Sequence, residues 1–184
     1  MPIAEGAAPL AQADQPLRVL GIDPGSLITG YGLVLMSGQG LQAGPYGAWR
    51  LPARQPLPLR LRALHEAIAS AIAELQPDEV AVEDFYVGQV RAAVTIGQVR
   101  AMALLAAAQA GLPVALYRPL EVKQTVAAYG LGDKAQVAAM VRALLDLPRS
   151  PRPADAADAL AVAICHCLRR AARAALGLPR GGRP

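Results

Sequence analysis

The chain has 184 residues, which suits one α/β domain with a full hydrophobic core and leaves little room for a second. Its formal net charge of +4 is carried by 16 arginines against 2 lysines, and arginine forms bidentate contacts with phosphate, so nucleic acid is a reasonable partner. A general bias toward Arg, Ala, Gly and Pro accounts for part of that count, so charge alone does not define the partner. Met1 to Pro16 has no Lys, no Arg and no continuous apolar core, which excludes a signal peptide or membrane anchor there. The longest apolar stretch, Ala101 to Tyr117, is broken by Gln109, Gly111 and Pro113 and cannot span a bilayer. A cytoplasmic protein is expected, with residues 1–16 as a disordered extension, 17–174 as the domain and 175–184 as a basic, flexible tail.

In chain order, Arg18 to Asp23 reads as a strand and Gly25 to Thr29 as a tight turn. Gly30 to Met36 is a second strand, Ser37-Gly38-Gln39-Gly40 a hairpin turn, and Leu41 to Leu51 a third strand. Pro52 to Pro58 reads as a linker. Leu61, Leu64, Ile68, Ile72 and Leu75 recur at helical spacing, predicting a helix over Leu59 to Leu75 with one buried face, ended by Pro77. Glu79 to Asp84 is the next strand and Phe85 to Ala92 a loop. Val94 to Ala110 is a helix whose small residues suit close packing, in the core or against a second subunit. Val114 to Tyr117 is a short strand. Leu120 to Tyr129 and Lys134 to Leu145 are helices separated by Gly130-Leu131-Gly132-Asp133, with Asp133 as N-cap of the second. A proline-rich, basic connector, Pro148 to Pro153, leads into a last helix from about Ala154 to Arg173. A hairpin-linked set followed by helix-linked strands predicts a mixed five-stranded sheet with helices on both faces, the layout of ribonuclease H-like folds.

Four carboxylates fall where such a fold keeps its chemistry. Asp23 closes the apolar run Val19 to Ile22, and Glu83 closes Val80 to Val82; acids at strand ends project into the crevice used by open α/β sheets. Asp23 can equally start the turn Pro24-Gly25-Ser26 as an Asx residue. Glu83 is preferred to Asp84 because adjacent strand residues face opposite sides; Asp84 then faces away, pairing with an arginine. Asp155 and Asp158 are three apart on one helix face, although Asp155 can also serve as an N-terminal cap. Four acids in one crevice repel unless cations hold them, by about 4 kcal/mol for a pair ~4 Å apart at an effective dielectric of ~20. Together they fit two magnesium ions ~3.5–4 Å apart cleaving a phosphodiester. Asp23→Asn is therefore expected to abolish cleavage without lowering metal-free stability.

Lys123 and Lys134, near strand ends, read either as phosphate or leaving-oxygen contacts or as solvated charge. Phe85 and Tyr86, beside Arg91, offer rings for base stacking or for the core. Cys165 and Cys167 flank His166, but i and i+2 do not face each other on a helix, so they read as reduced cysteines and not a metal site. His65 and His166 read as bystanders.

The strings RVLGIDPGSLITGYGLV, VAVEDFY, TIGQVRAMALLAAA, EVKQTVAAYGLGDKAQVAAMV and PADAADALAVAICHC closely resemble the RuvC family of bacterial Holliday-junction resolvases, from about Arg18 to Leu168. Several ordered motifs at matching intervals make the likeness specific, where GIDPGS alone is weak. The resemblance implies a ribonuclease H-like homodimer acting on a four-way DNA junction. It implies symmetric nicks in two strands of like polarity, leaving 5′-phosphate and 3′-hydroxyl ends. It assigns the catalytic, metal-holding acids to Asp23, Glu83, Asp155 and Asp158, with magnesium, or manganese, as the cofactor at two ions per site. Lys123 and Lys134 match the family's lysines, and Tyr86 stands where a stacking phenylalanine is common, with Arg91 beside it as a further DNA contact. The branch-migration complex of RuvA and RuvB is the implied partner. Competing readings are a sugar-kinase or actin-like ATPase, which needs a second large domain, another ribonuclease H-like nuclease, and a junction binder without catalysis.

Overall fold

The computed structural model describes residues 15–84, 90–127 and 134–177, with the side chains of 90–93 excepted. The chain begins with an antiparallel meander, β1 (Leu17–Asp23), β2 (Ile28–Ser37) and β3 (Gly40–Arg50). Helix α1 (Leu57–Leu75) leads to β4 (Glu79–Glu83), α2 (Val90–Gln109) to β5 (Val114–Tyr117), and α3 (Pro119–Ala127), α4 (Lys134–Leu144) and α5 (Ala154–Ala175) complete the domain. The five strands lie in the order β3-β2-β1-β4-β5. Antiparallel pairing of β1, β2 and β3 gives way to parallel pairing of β1 with β4 and β4 with β5, the predicted mixed sheet.

Alternation along the strands builds two cores. Val19 and Ala81 pack with Val34 beneath α5, against which α3 and α4 also pack. Leu20, Ile22, Val80 and Val82 point the other way, onto Leu64 and Ile68 of α1 and Val99 and Ala103 of α2. Helix α5 is buried along nearly its whole first half, from Ala156 to Cys167, because the sheet covers one side and α3 and α4 the other. Its alanines thus serve contact on all sides, which a single amphipathic stripe would not.

Some boundaries differ from the sequence-based expectation. Strand β2 starts at Ile28, because buried Thr29 closes the turn by hydrogen-bonding the Gly25 carbonyl, so the tight turn is shorter. Helix α1 begins at Leu57, within the expected linker, since Pro58 is tolerated in a first helical turn. It ends at Gln76, in the left-handed conformation, where Arg18 donates to the Leu75 and Gln76 carbonyls, so a strand side chain and not Pro77 alone closes it. Helix α2 starts at Val90, inside the segment expected to be a loop to Ala92. The turn at Gly130-Leu131-Gly132-Asp133, residues 1–14 of the extension and 178–184 of the tail lie outside the described residues.

Candidate active site

Asp23 and Glu83 are the last residues of β1 and β4. These strands run parallel with Ile22 beside Val82, so the next step sets the two acids side by side on strands ~4.8 Å apart. Both continue the face of Gly21 and Ala81, which lies under α5. Asp84 falls on the opposite face, where Arg100 of α2 pairs with it, as parity predicts.

Helix α5 brings the other two acids because β1 and β2 carry glycine beneath it. A Cβ on Gly21 would stand 2.1 Å from the Ala159 carbonyl oxygen, and one on Gly30 would stand 2.0 Å from that of Asp155. Only glycine permits such backbone contact. The first turns of α5 therefore rest directly on the ends of the central strands. Asp23, Glu83 and Asp158 line one cleft of about 190 Å³ with Lys123 of α3 and Lys134 of α4; Val122, Val137 and Ala161 form its apolar wall. Asp155 stands just outside that lining, yet its charge still reaches Asp23.

The electrostatics follow from this crowding. Burial above all, then the charges of Glu83 and Asp158, push the Asp23 carboxyl up to about 8. Glu83 is also raised, chiefly by burial, while its hydrogen bond with Asp23 and the two lysines oppose the shift. The two carboxyls are hydrogen-bonded to each other, and burial favours the protonated form of Asp23. Lys134 Nζ lies 3.2 Å from Asp158 Oδ2, and that carboxylate holds the ammonium above its ordinary value. Among the described residues, no three His, Cys, Asp or Glu side chains already stand grouped to hold a metal ion. Asp23 and Glu83 are joined through a proton, and Asp158 is engaged by an ammonium. The donor set nonetheless suits a hard divalent cation: it is all carboxylate oxygen, and its mutual repulsion is relieved by positive charge.

The structure thus gathers Asp23, Glu83, Asp158, Lys123 and Lys134, with Asp155 at the rim. Tyr86 and Phe85 lie outside the described residues; Arg91 lies in the first turn of α2, its side chain likewise undescribed. Cys165 and Cys167 are free and buried, and neither lines the cleft. His166 is more than a bystander. Its Nε2 lies 2.5 Å from Glu79 and its Nδ1 2.9 Å from the Tyr117 hydroxyl. Burial pushes the imidazole down to about 4, and Arg170 already neutralises Glu79, so the neutral ring donates to Glu79 and accepts from Tyr117. Sequence inspection also missed Arg60 of α1, which donates to the Ser26 carbonyl and holds the turn after Asp23. Nothing in local periodicity marks that contact, since the two residues are 34 apart.

Comparison with known proteins places the chain in a family. The family model described as "Crossover junction endodeoxyribonuclease RuvC" matches residues 19–166. The RuvC of Desulfitobacterium hafniense (strain DSM 10664 / DCB-2) is 53% identical over 151 residues, covering 82% of this chain and 92% of that protein. That of Magnetococcus marinus is 46% identical over 175 residues, covering 91% and 97%. Among solved structures, Thermus thermophilus RuvC in complex with a Holliday junction substrate superposes with a TM-score of 0.80 at 34% identity, over 86% of this chain and 96% of that one. The yeast mitochondrial resolvase Ydc2, at 16% identity and a TM-score of 0.60, shares the fold. The chain has the ribonuclease H-like fold and belongs to the RuvC family of crossover junction endodeoxyribonucleases.

Proposed function

We propose that this protein resolves four-way DNA junctions as a divalent-metal-dependent endonuclease, nicking two strands of like polarity and leaving 5′-phosphate and 3′-hydroxyl ends. The observation that carries it is the convergence of Asp23, Glu83 and Asp158 on one cleft, with Asp23 driven up to about 8 by burial and neighbouring charge. Family membership and the junction-bound Thermus relative support the substrate. Asp23, Glu83, Asp155 and Asp158 would hold two magnesium or manganese ions, which would supply positive charge at the scissile phosphate and acidify the attacking water. Asp23 gives up its proton on becoming a ligand, so metal binding is coupled to proton release. Lys123 and Lys134 flank the acids, placing their side-chain nitrogens where the leaving oxygen develops negative charge. Tyr86 and Arg91 are assigned to stacking on, and holding, opened strands.

A symmetric homodimer suits a two-fold junction with one nick per subunit. A candidate interface lies on α2, where Val94, Ala101 and Leu105 are exposed in helical register, beside exposed Leu116 of edge strand β5. RuvA and RuvB would supply the migrating junction. No helix among the described residues is long and apolar enough to cross a membrane, and two buried free thiols suit the reducing cytoplasm.

The decisive experiment is cleavage of a mobile four-way junction, with and without magnesium, by the wild-type chain and Asp158→Asn. Paired, metal-dependent nicks that vanish in the variant are expected. Junction binding without cleavage under magnesium or manganese would leave the fold standing and remove the catalytic assignment.

A further inference from the structure

A second cleft, of about 360 Å³, adjoins the acids. It lies between the start of α4, the connector 148–153 and the first turns of α5, and Lys134, Ala138, Pro151, Arg152, Ala157 and Asp158 are among its walls. Lys134 and Asp158 belong to both clefts. Within the second one, those two side chains stand 3.2 Å apart and largely offset each other. Arg152 is exposed, with no hydrogen-bond or ion-pair partner among the described residues, so the remaining field is that of its guanidinium.

An exposed arginine alone means little. This one is presented from a stiffened backbone. Buried Pro151 precedes it and Pro153 follows, and proline both fixes its own φ and restricts the residue before it. Ordering such a side chain on a ligand loses less entropy than ordering one on a free loop. The rest of the wall is alanine and proline, with no group that reads a base edge, so whatever binds is recognised by charge and not by sequence.

We infer that this cleft takes the DNA backbone phosphate next to the scissile one, with Arg152 as its bidentate contact. The inference rests on the nuclease function proposed for the acid cleft: a strand lying across Asp23 and Glu83 continues past the shared wall of Lys134 and Asp158 into the second cleft. Arg152 is then a positioning residue that sets the strand's register over the acids.

The test is binding of the full chain to a four-way junction in EDTA over a series of salt concentrations, for wild type, Arg152→Ala and Arg152→Lys. Loss of one phosphate contact is expected to reduce the slope of log affinity against log salt by about one in Arg152→Ala, with binding weakened about tenfold at low salt. Arg152→Lys, which keeps the charge, is expected to retain the wild-type slope. An unchanged slope in Arg152→Ala overturns the inference, as does a slope lost equally in Arg152→Lys, which would point to a disturbed connector. The two proposals fail separately: a reduced slope in a protein that cleaves no junction keeps the phosphate site and sinks the resolvase assignment. A wild-type chain that binds no DNA sinks both.

Discussion

Asp23 concentrates the chemistry of the site in one titration. Its folded pKa of about 8 lies far above the 3.8 of an ordinary aspartate, so the folded protein holds a proton that the unfolded chain has released. Without metal, its contribution to stability is therefore full below about pH 4 and is lost as pH rises toward about 8. Asp23→Asn mimics the protonated form. Chemical denaturation in EDTA is expected to show the variant as stable as wild type below about pH 4 and increasingly more stable as pH rises toward 8, while junction cleavage under magnesium is abolished. A variant clearly less stable than wild type across that range would make Asp23 a structural turn residue. His166 titrates in the opposite sense. Its folded value of about 4 lies below the ordinary 6.5, so its contribution is present above about pH 6.5 and is lost as pH falls toward 4. The stability advantage of wild type over His166→Gln is expected to shrink over that window, by at most about 3 kcal/mol. A constant difference across it would show that the ring does not titrate between the folded and unfolded states.

The element that makes the site is α5, through its backbone contact with the glycines of β1 and β2. Gly30→Ala drives a methyl group into the Asp155 carbonyl, and backbone on both sides leaves no flexible side chain to yield. The first turn of α5 must lift, carrying Asp155 and Asp158 away from Asp23 and Glu83. Expected are a stability loss of roughly 1–3 kcal/mol and a larger relative loss of cleavage, measured by denaturation and junction assay. Gly38→Ala, in the hairpin turn, meets nothing within 4 Å and is expected to be near neutral. Equal behaviour of the two variants would mean that the close approach of α5 is not needed. Farther along the same helix, His166 and Arg170 hold Glu79 of β4, and Tyr117 of β5 completes the network, so α5 is tied to β4 and to the edge strand β5.

At the scale of the whole molecule, the sheet separates two tasks. The α5 face carries the acids and lysines, while the α1–α2 face carries the second core and the exposed apolar residues Val94, Leu105 and Leu116. If that outer surface joins two copies, Leu105→Asp is expected to yield monomers by sedimentation, with folding intact and paired nicks replaced by single, uncoupled ones. A dimer that survives the charge would place the subunit contact elsewhere. The basic composition adds a long-range term, and junction binding is expected to weaken steeply between low and physiological salt.

Strand parity was legible in the chain by itself. The alternation through Val80-Ala81-Val82 placed Glu83 on one face and Asp84 on the other, because a period of two is a local property of extended backbone. The spacing of Asp155 and Asp158 on one helix face was legible for the same reason. What local pattern does not contain is distance between elements. That α5 lies in backbone contact with Gly21 and Gly30, that Lys134 reaches Asp158, and that Arg60 holds the turn after Asp23 all depend on how far apart packed surfaces come to rest. Those separations are set by side-chain volumes contributed together from all the described strands and helices. The types of residue at the site were therefore written in the sequence, whereas their meeting, and the shift of Asp23 that follows from it, were decided only by tertiary packing.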